Sequence, residues 1–284
     1  MQLLKTLHDM DAPVQTYTIV ELSGSLRKVQ QEAVQQVLPQ WAHKVRWVSQ
    51  WPDAMSGVVV GNEVLDAMPV QLLSWNGQQW CERGVKLASE APVSWGWEDR
   101  PTPDVVRPPT DHPDSAYAPG TVVEVHRQAE AFMQSLAERM TAGAVFLVDY
   151  GFAADEFYLP QRTGGTLMCH QQHRSDDDPL QAVGAKDITA HVNFTGVALA
   201  GQEAGLEVLG YTSQARFLIN LGMVPLLAAA QPGQPTLDEI RQLAAAQRLL
   251  AEHEMGELFK VIGFVKGPWF DAMGFSEGDR SHTL

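Results

Sequence analysis

The chain is short of basic residues, of cysteine and of long apolar runs, and each shortage removes a class of function. Lys and Arg number 20 against 34 Asp and Glu, a formal net charge of −14 at pH 7. Binding a nucleic-acid backbone rests on clustered Lys and Arg, so nucleic acid is not an expected partner. Two cysteines, Cys81 and Cys169, make no disulfide framework and point to a reducing compartment. The longest strongly apolar run, "LGMVPLLAAA" at 221–230, is too short to cross a bilayer. The opening "MQLLKTLHDMDAP" lacks a basic region, an apolar stretch and a small-residue cleavage site in that order, so no signal peptide is expected. The expectation is a soluble, cytoplasmic protein without a membrane partner. There is no internal repeat and no low-complexity tract.

What is present is a rhythm of strands and helices. A chain of 284 residues with 45% hydrophobic content suffices for one large domain, or for a core with an inserted subdomain. "TYTIVEL" (16–22) is a β-branched run followed by helical spacing in "LRKVQQEAVQQVL" (26–38). "HKVRWVS" and "GVVVGN" (57–62) read as strands, the latter as a buried one. Further on, helical spacing over 124–140 leads into "AVFLVDYGF" (144–152). This alternation predicts an α/β fold with a parallel sheet covered by helices on both faces. Between the two halves the pattern changes. Asn76-Gly77 lies between two aromatic-containing runs and predicts a type I′ hairpin, and 91–120 is rich in Pro, Asp and Trp without a helical period. Residues 71–120 therefore read as an inserted, β-rich and irregular subdomain, with 1–70 and 121–284 as the core. Residues 152–186 form a second excursion with a short strand in "TLMCHQ". Helices are expected at 187–204 and 236–255, a strand turning into a short helix in "LEVLGYTSQARFLINLG", and a last strand in "FKVIGFVKG" (259–267).

Ligands of open parallel sheets sit beyond the carboxyl ends of the strands. Three such ends carry polar groups here: Glu21, the set Asn62, Glu63 and Asp66, and the pair Asp149 and Tyr150. Singly, each has a plain structural explanation: a solvated loop residue, a helix cap, or a carboxylate holding turn amides. Their convergence on one sheet edge favours a site. An acid after the second strand of a nucleotide-binding sheet commonly accepts hydrogen bonds from ribose hydroxyls, which suits Glu21. The glycine-rich turn that should precede it is missing, because no Gly-x-Gly occurs upstream of Glu21.

The stretches "TYTIVELSGSLRKVQQ", "GVVVGNEVLDAMPVQLL", "VFLVDYGF", "GGTLMCHQQHRSDDDPLQAVGAKDITAHVNFT", "GYTSQARFLINLGM" and "MGELFKVIGFVKG" occur in an order that resembles the MidA family. The resemblance runs from about Thr16 to Gly267. It implies a Rossmann-like class I S-adenosylmethionine-dependent methyltransferase fold. Mitochondrial members assist assembly of respiratory complex I and methylate an arginine on one of its subunits. The implied cofactor is S-adenosyl-L-methionine, and the implied partner is a protein with an acceptor arginine; a homodimer is compatible with the family. "LSGSL" stands where the family usually has Ser-Pro, and Asn193 where it usually has Asp. The family's glycine loop and first strand have no counterpart. Its absence would leave backbone groups of two buried strands unpaired, at about 1–3 kcal/mol each. The expectation is a chain cut short at its start, or a gap closed by neighbours or a partner.

The chemistry of methyl transfer to a guanidinium then suggests roles for residues. Glu21, Ser23, Asn62 and Glu63 are expected to hold the cofactor, with Asn62 on its methionyl end. Glu63 and Asp66, three apart at the start of a helix, are expected to share a pocket as the catalytic carboxylates, with His191. A carboxylate pair can orient a guanidinium in two-point contacts and take its proton. Asp149, Tyr150, His173, Asp187 and Thr189 are expected to line the acceptor channel. His170 and His173, with Cys169 and His191, form no expected metal site, because an extended HxxH pair does not turn both rings to one side. Trp75, Trp80, Trp95 and Trp97 read as a small core or a partner surface. A non-catalytic assembly protein on the same fold, without its cofactor loop, is the alternative.

Overall fold

The structure, a computed structural model, describes residues 2–12, 14–90, 92–101, 107–172, 174–229 and 236–284. The chain divides into two compact units, residues 1–55 and 56–284, so the expected grouping of 1–70 in one core breaks near Met55.

The first unit holds α1 (Gln2–Asp9), β1 (Tyr17–Val20), α2 (Gly24–Val37) and β2 (Val45–Val48). Strands β1 and β2 pair in parallel from Tyr17↔Val45 to Val20↔Val48. Leu4, Val34, Leu38 and Val45 form their core, with Tyr17, Ile19 and Trp47 packed against it. Ser23 caps α2, its Oγ accepting the Leu26 N–H at 3.3 Å, and the helix ends before Pro39, as the steric clash of proline with a preceding helical residue requires.

The second unit begins with β3 (Met55–Asn62), β4 (Gln71–Trp75), β5 (Trp80–Glu90), β6 (Val93–Arg100) and β7 (Val122–Val125). Strands β4 to β7 make an antiparallel sheet in the order β6-β5-β4-β7. The inserted sheet thus reaches Val125, because Leu73 pairs with Val123, and the stretch expected to be irregular contains β6. Four residues, 76–79, separate the pair Trp75↔Trp80. Gly77 has φ +93° while Asn76 is not left-handed, so the two-residue type I′ turn, which needs positive φ at both central residues, does not form. The Asn76 side chain instead accepts the N–H groups of Gln78 and Gln79.

Next come α3 (Arg127–Arg139), β8 (Met140–Phe152), α4 (Ala154–Phe157), β9 (Met168–Gln171), β10 (Arg174–Asp176), β11 (Asp187–Thr189), β12 (Val192–Asn193) and α5 (Phe194–Glu203). The helix expected from 187 starts only at Phe194, where Asn193 caps it. The chain finishes with β13 (Glu207–Ser213), α6 (Gln214–Asn220), α7 (Met223–Ala229), α8 (Leu237–Leu250) and β14 (Phe259–Lys266). The main sheet runs β12-β8-β14-β13, with β3 also on β8. Strand β14 is antiparallel to both β8 and β13, and β12 is parallel to β8. Gly57 lies against Gly143 and the Glu63 N–H reaches Val148 O at 2.9 Å, so β3 runs parallel to β8. Gly143 has φ +126°, and a Cβ there would collide with Gly57 O; this close approach requires glycine.

Side chains alternate along β8. Ala144, Phe146 and Val148 face a core with Val261, Leu209, Phe217 of α6 and Phe275. Val145 and Leu147, also buried, point the other way, toward the side carrying α3 and α5, which touch each other and β8. Helices therefore cover both faces, as expected. Strand β3 departs from expectation: Val58 and Val60 are 69% and 61% exposed. Among the described residues β3 has a strand on one edge only, so part of its surface stays uncovered.

Candidate functional site

After Asn62 the chain makes a sharp turn. Glu63 takes φ +49°, a left-handed conformation that costs a non-glycine residue about 1–2 kcal/mol. It is held there because the next three N–H groups converge on one oxygen. Asp149 Oδ2, at the end of β8, accepts from Val64, Leu65 and Asp66 at 3.1, 3.0 and 3.3 Å. Leu65 is fully buried and anchors the turn. The expected helix is absent here, and with it the helix-terminal argument for the carboxylate pair. In this turn Glu63 and Asp66 diverge. Glu63 is exposed and accepts from Asn62 Nδ2 at 2.9 Å, while Asp66 is buried.

Asp66 is the centre of the buried group. Its Oδ2 accepts the Tyr150 hydroxyl at 2.5 Å, and its carbonyl accepts the Ala190 N–H at 3.0 Å. Ala190 lies between Thr189 and His191, so the turn and the β11–β12 segment are tied together. The His191 ring stacks on Phe152 at 5.3 Å and meets Tyr150 edge-on at 5.1 Å. Tyr150 also meets Phe259 edge-on. Three buried polar atoms here have no hydrogen-bond partner among the described residues: Asp66 Oδ1, Thr189 Oγ1 and His191 Nδ1.

The electrostatics follow from burial. Desolvation, then the nearby Asp66 charge, push the Asp149 carboxyl up to about 7 against its three backbone donors. Desolvation and the bond to Asp66 raise the Tyr150 hydroxyl, which stays protonated and donates. Burial lowers His191, with Arg162 and Lys260 adding to the effect, so its imidazole is neutral and able to take a proton. Arg162 and Lys260 lie over the Phe152 ring at 4.7 and 5.9 Å, and Lys260 Nζ donates to Glu257 O.

Of the expected site residues, Asp66, Asp149, Tyr150, Thr189 and His191 come together. Asn62 and Glu63 sit at the exposed mouth of the same turn. Asp187 does not join them: it shares a face of β11 with Thr189 but lies two residues toward the exposed end of that strand, opposite His170. His173 lies outside the described residues. Glu21 and Ser23 belong to the first unit, where Glu21 Oε1 accepts the Ser23 N–H at 2.8 Å and Oε2 accepts Gln30 Nε2 at 3.0 Å. This holds the carboxylate at the end of β1 with lone pairs to spare for ribose hydroxyls.

The sequence pass missed a second layer. Glu124 of β7, fully buried, accepts the Thr166 and Leu167 N–H groups and the Thr166 hydroxyl, and Thr166 Oγ1 in turn accepts the His191 N–H at 3.2 Å. Gly165, at φ +73°, gives Glu124 its room. His126 is buried with both ring nitrogens unpartnered, and desolvation pushes it down to about 4. Helical spacing across 124–140 hid these two, since they read as the first turn of a helix. Among the described residues no group of three His, Cys, Asp or Glu side chains is placed to hold a metal ion, and no helix is long and apolar enough to cross a membrane.

A sheet with a parallel centre, an antiparallel β14 beside β8 and acids at the strand ends defines a class I methyltransferase-type fold. Residues 2–212 match the profile of the family described as "Putative S-adenosyl-L-methionine-dependent methyltransferase", and the chain belongs to that family. It is similar to a protein of known crystal structure from Burkholderia thailandensis, with 43% identity, a TM-score of 0.91, and coverage of 99% of this chain and 74% of that one. A second protein of the same superfamily from that organism, crystallised with S-adenosyl-homocysteine, shows 41% identity and a TM-score of 0.87 over 99% of this chain and 72% of that one. No curated protein matches. S-Adenosyl-L-methionine is the cofactor of the family. Within the first unit, the free lone pairs of the Glu21 carboxylate suit hydroxyl donors of the kind a ribose presents.

Proposed function

We propose that this chain transfers the methyl group of S-adenosyl-L-methionine to an arginine side chain of a protein, the activity implied by its MidA-like motifs. The observation that carries the reading is the set of orphaned acceptors, Asp66 Oδ1, Thr189 Oγ1 and His191 Nδ1, beside the aromatic rings of Tyr150 and Phe152. Each unpartnered buried polar atom costs about 1–3 kcal/mol. A guanidinium, carrying five N–H donors and no acceptor, matches that set in hydrogen-bonding sense.

When bound, S-adenosyl-L-methionine supplies an activated methyl carbon on a sulfonium. In the second unit, Asn62 and Glu63 are the residues assigned to its methionyl end. Asp66, fixed by the Tyr150 hydroxyl, orients the acceptor guanidinium and draws its charge toward one nitrogen. Neutral His191 takes the proton that this nitrogen loses as it forms the new bond to carbon and the carbon–sulfur bond breaks. Positioning and exclusion of water supply the catalysis. Transfer of a labelled methyl group to arginine peptides tests this. Asp66→Asn and Glu63→Gln should each lower kcat by about 10²-fold or more, with label on arginine alone. Wild-type rates in both variants, or label on another residue type, refute the reading.

A further inference from the structure

We infer that the β5–β6 hairpin is a docking surface for an extended, cationic segment of a protein partner. This rests on the methyl-acceptor reading for its direction but on separate residues. Trp95 and Trp97 alternate with Val93 on one face of β6, and the register places Leu87 opposite Trp95 and Val85 opposite Trp97. Val85, Leu87, Val93 and Trp95 are 54%, 47%, 64% and 44% exposed. Trp75 and Trp80, by contrast, are buried in the insert's own core with Tyr117, so the four tryptophans divide between a core and a surface.

Three observations identify the occupant. First, β6 is the terminal strand of its sheet, so its outer edge offers backbone groups to an added strand. Second, a cavity of about 490 Å³ runs along Val93–Trp97 and is closed on its far side by Asp177 and Asp178. Lys186 pairs with the neighbouring Asp176 at 2.7 Å and donates to the Asp178 carbonyl at 2.9 Å. The Asp178 carboxylate accepts the Leu180 N–H at 3.0 Å, but neither the Asp177 nor the Asp178 carboxylate has an ion-pair partner among the described residues, and no Lys or Arg lines this cavity. Indole faces and unpaired carboxylates together select cations. Third, Trp97 and Val85 also line a second cavity, of about 630 Å³, that starts at Pro69 and Val70 and carries Glu82, Arg83 and Arg127, with Arg83 paired to Asp99 at 2.7 Å.

Fluorescence anisotropy with labelled Gly-Val-Arg-Val-Arg-Val-Arg-Gly, and with the same peptide carrying Glu for each Arg, tests the surface. Wild type should bind the arginine peptide and not the glutamate one. Trp95→Ala, and separately Asp177→Asn with Asp178→Asn on the exposed loop, should weaken binding about tenfold or more while leaving S-adenosyl-L-methionine binding unchanged. Equal binding of both peptides, wild-type affinity in both variants, or self-association lost in Trp95→Ala would overturn the inference. Methyl transfer to the same peptide separates the two proposals. Trp95-dependent binding without methylation keeps the docking surface and removes the arginine-acceptor reading. Methylation with a kcat/KM unchanged by Trp95→Ala does the reverse.

Discussion

At Glu63 a charged residue occupies a backbone conformation that suits glycine, and the surrounding contacts hold it there. The N–H of Glu63 is spent on Val148 O, and the next three on Asp149. Its side chain is exposed and, among the described residues, bonds only Asn62, so packing does not explain why glutamate is present. Strain kept at a candidate site is a pointer to function. Glu63→Gly is therefore expected to raise the unfolding free energy by about 1 kcal/mol while lowering methyl transfer. Urea denaturation and the label assay on one preparation check both signs. A variant that is less stable and fully active contradicts the account.

Among the elements, the end of β8, which holds the turn after β3 through Asp149, and the start of α3, capped by His126, carry two buried groups with opposite pH behaviour. Asp149 in the folded chain titrates near 7 instead of its ordinary 3.8. The folded state thus holds a proton that the unfolded state has released, and stability is lost as pH rises from about 4 to 7, by on the order of 4 kcal/mol. His126, pushed down to about 4 from 6.5, acts the other way: stability is lost as pH falls from about 6.5 to 4. The two oppose each other in wild type. Asp149→Asn keeps an acceptor oxygen for the turn and removes the first effect, so its stability should gain on wild type between pH 5 and 7.5, leaving the acid loss of His126 visible. Parallel urea midpoints across that range count against the buried geometry. This layer also marks where sequence reading stops. The strands over 144–152 and 259–267 were legible because their apolar runs are buried on both faces. The Glu63–Asp66 helix was not there, because hydrogen bonds to Asp149, 83 residues or more away in the chain, override the local cap signal. Glu124 and His126 were hidden because a strand of four residues ahead of α3 continues its helical spacing.

On the scale of the whole molecule, a net charge of −14 attracts a basic acceptor from a distance, and salt screens that attraction. For an arginine-rich peptide, kcat/KM should fall several-fold between roughly 20 mM and 200 mM NaCl, chiefly through KM; a salt-independent value would detach the charge from function. The α/β class was readable from pattern, and the division near Met55 was not, since no composition change marks it. The assembly as a whole presents one chemical proposition, that buried acceptors around Asp66 await a guanidinium. Calorimetric titration with methylguanidinium measures it most directly. The account expects saturable binding to the wild type, weakened about tenfold or more in Asp66→Asn and absent for methylammonium at the same concentrations. Identical heats for wild type and Asp66→Asn, or for the two cations, would contradict it.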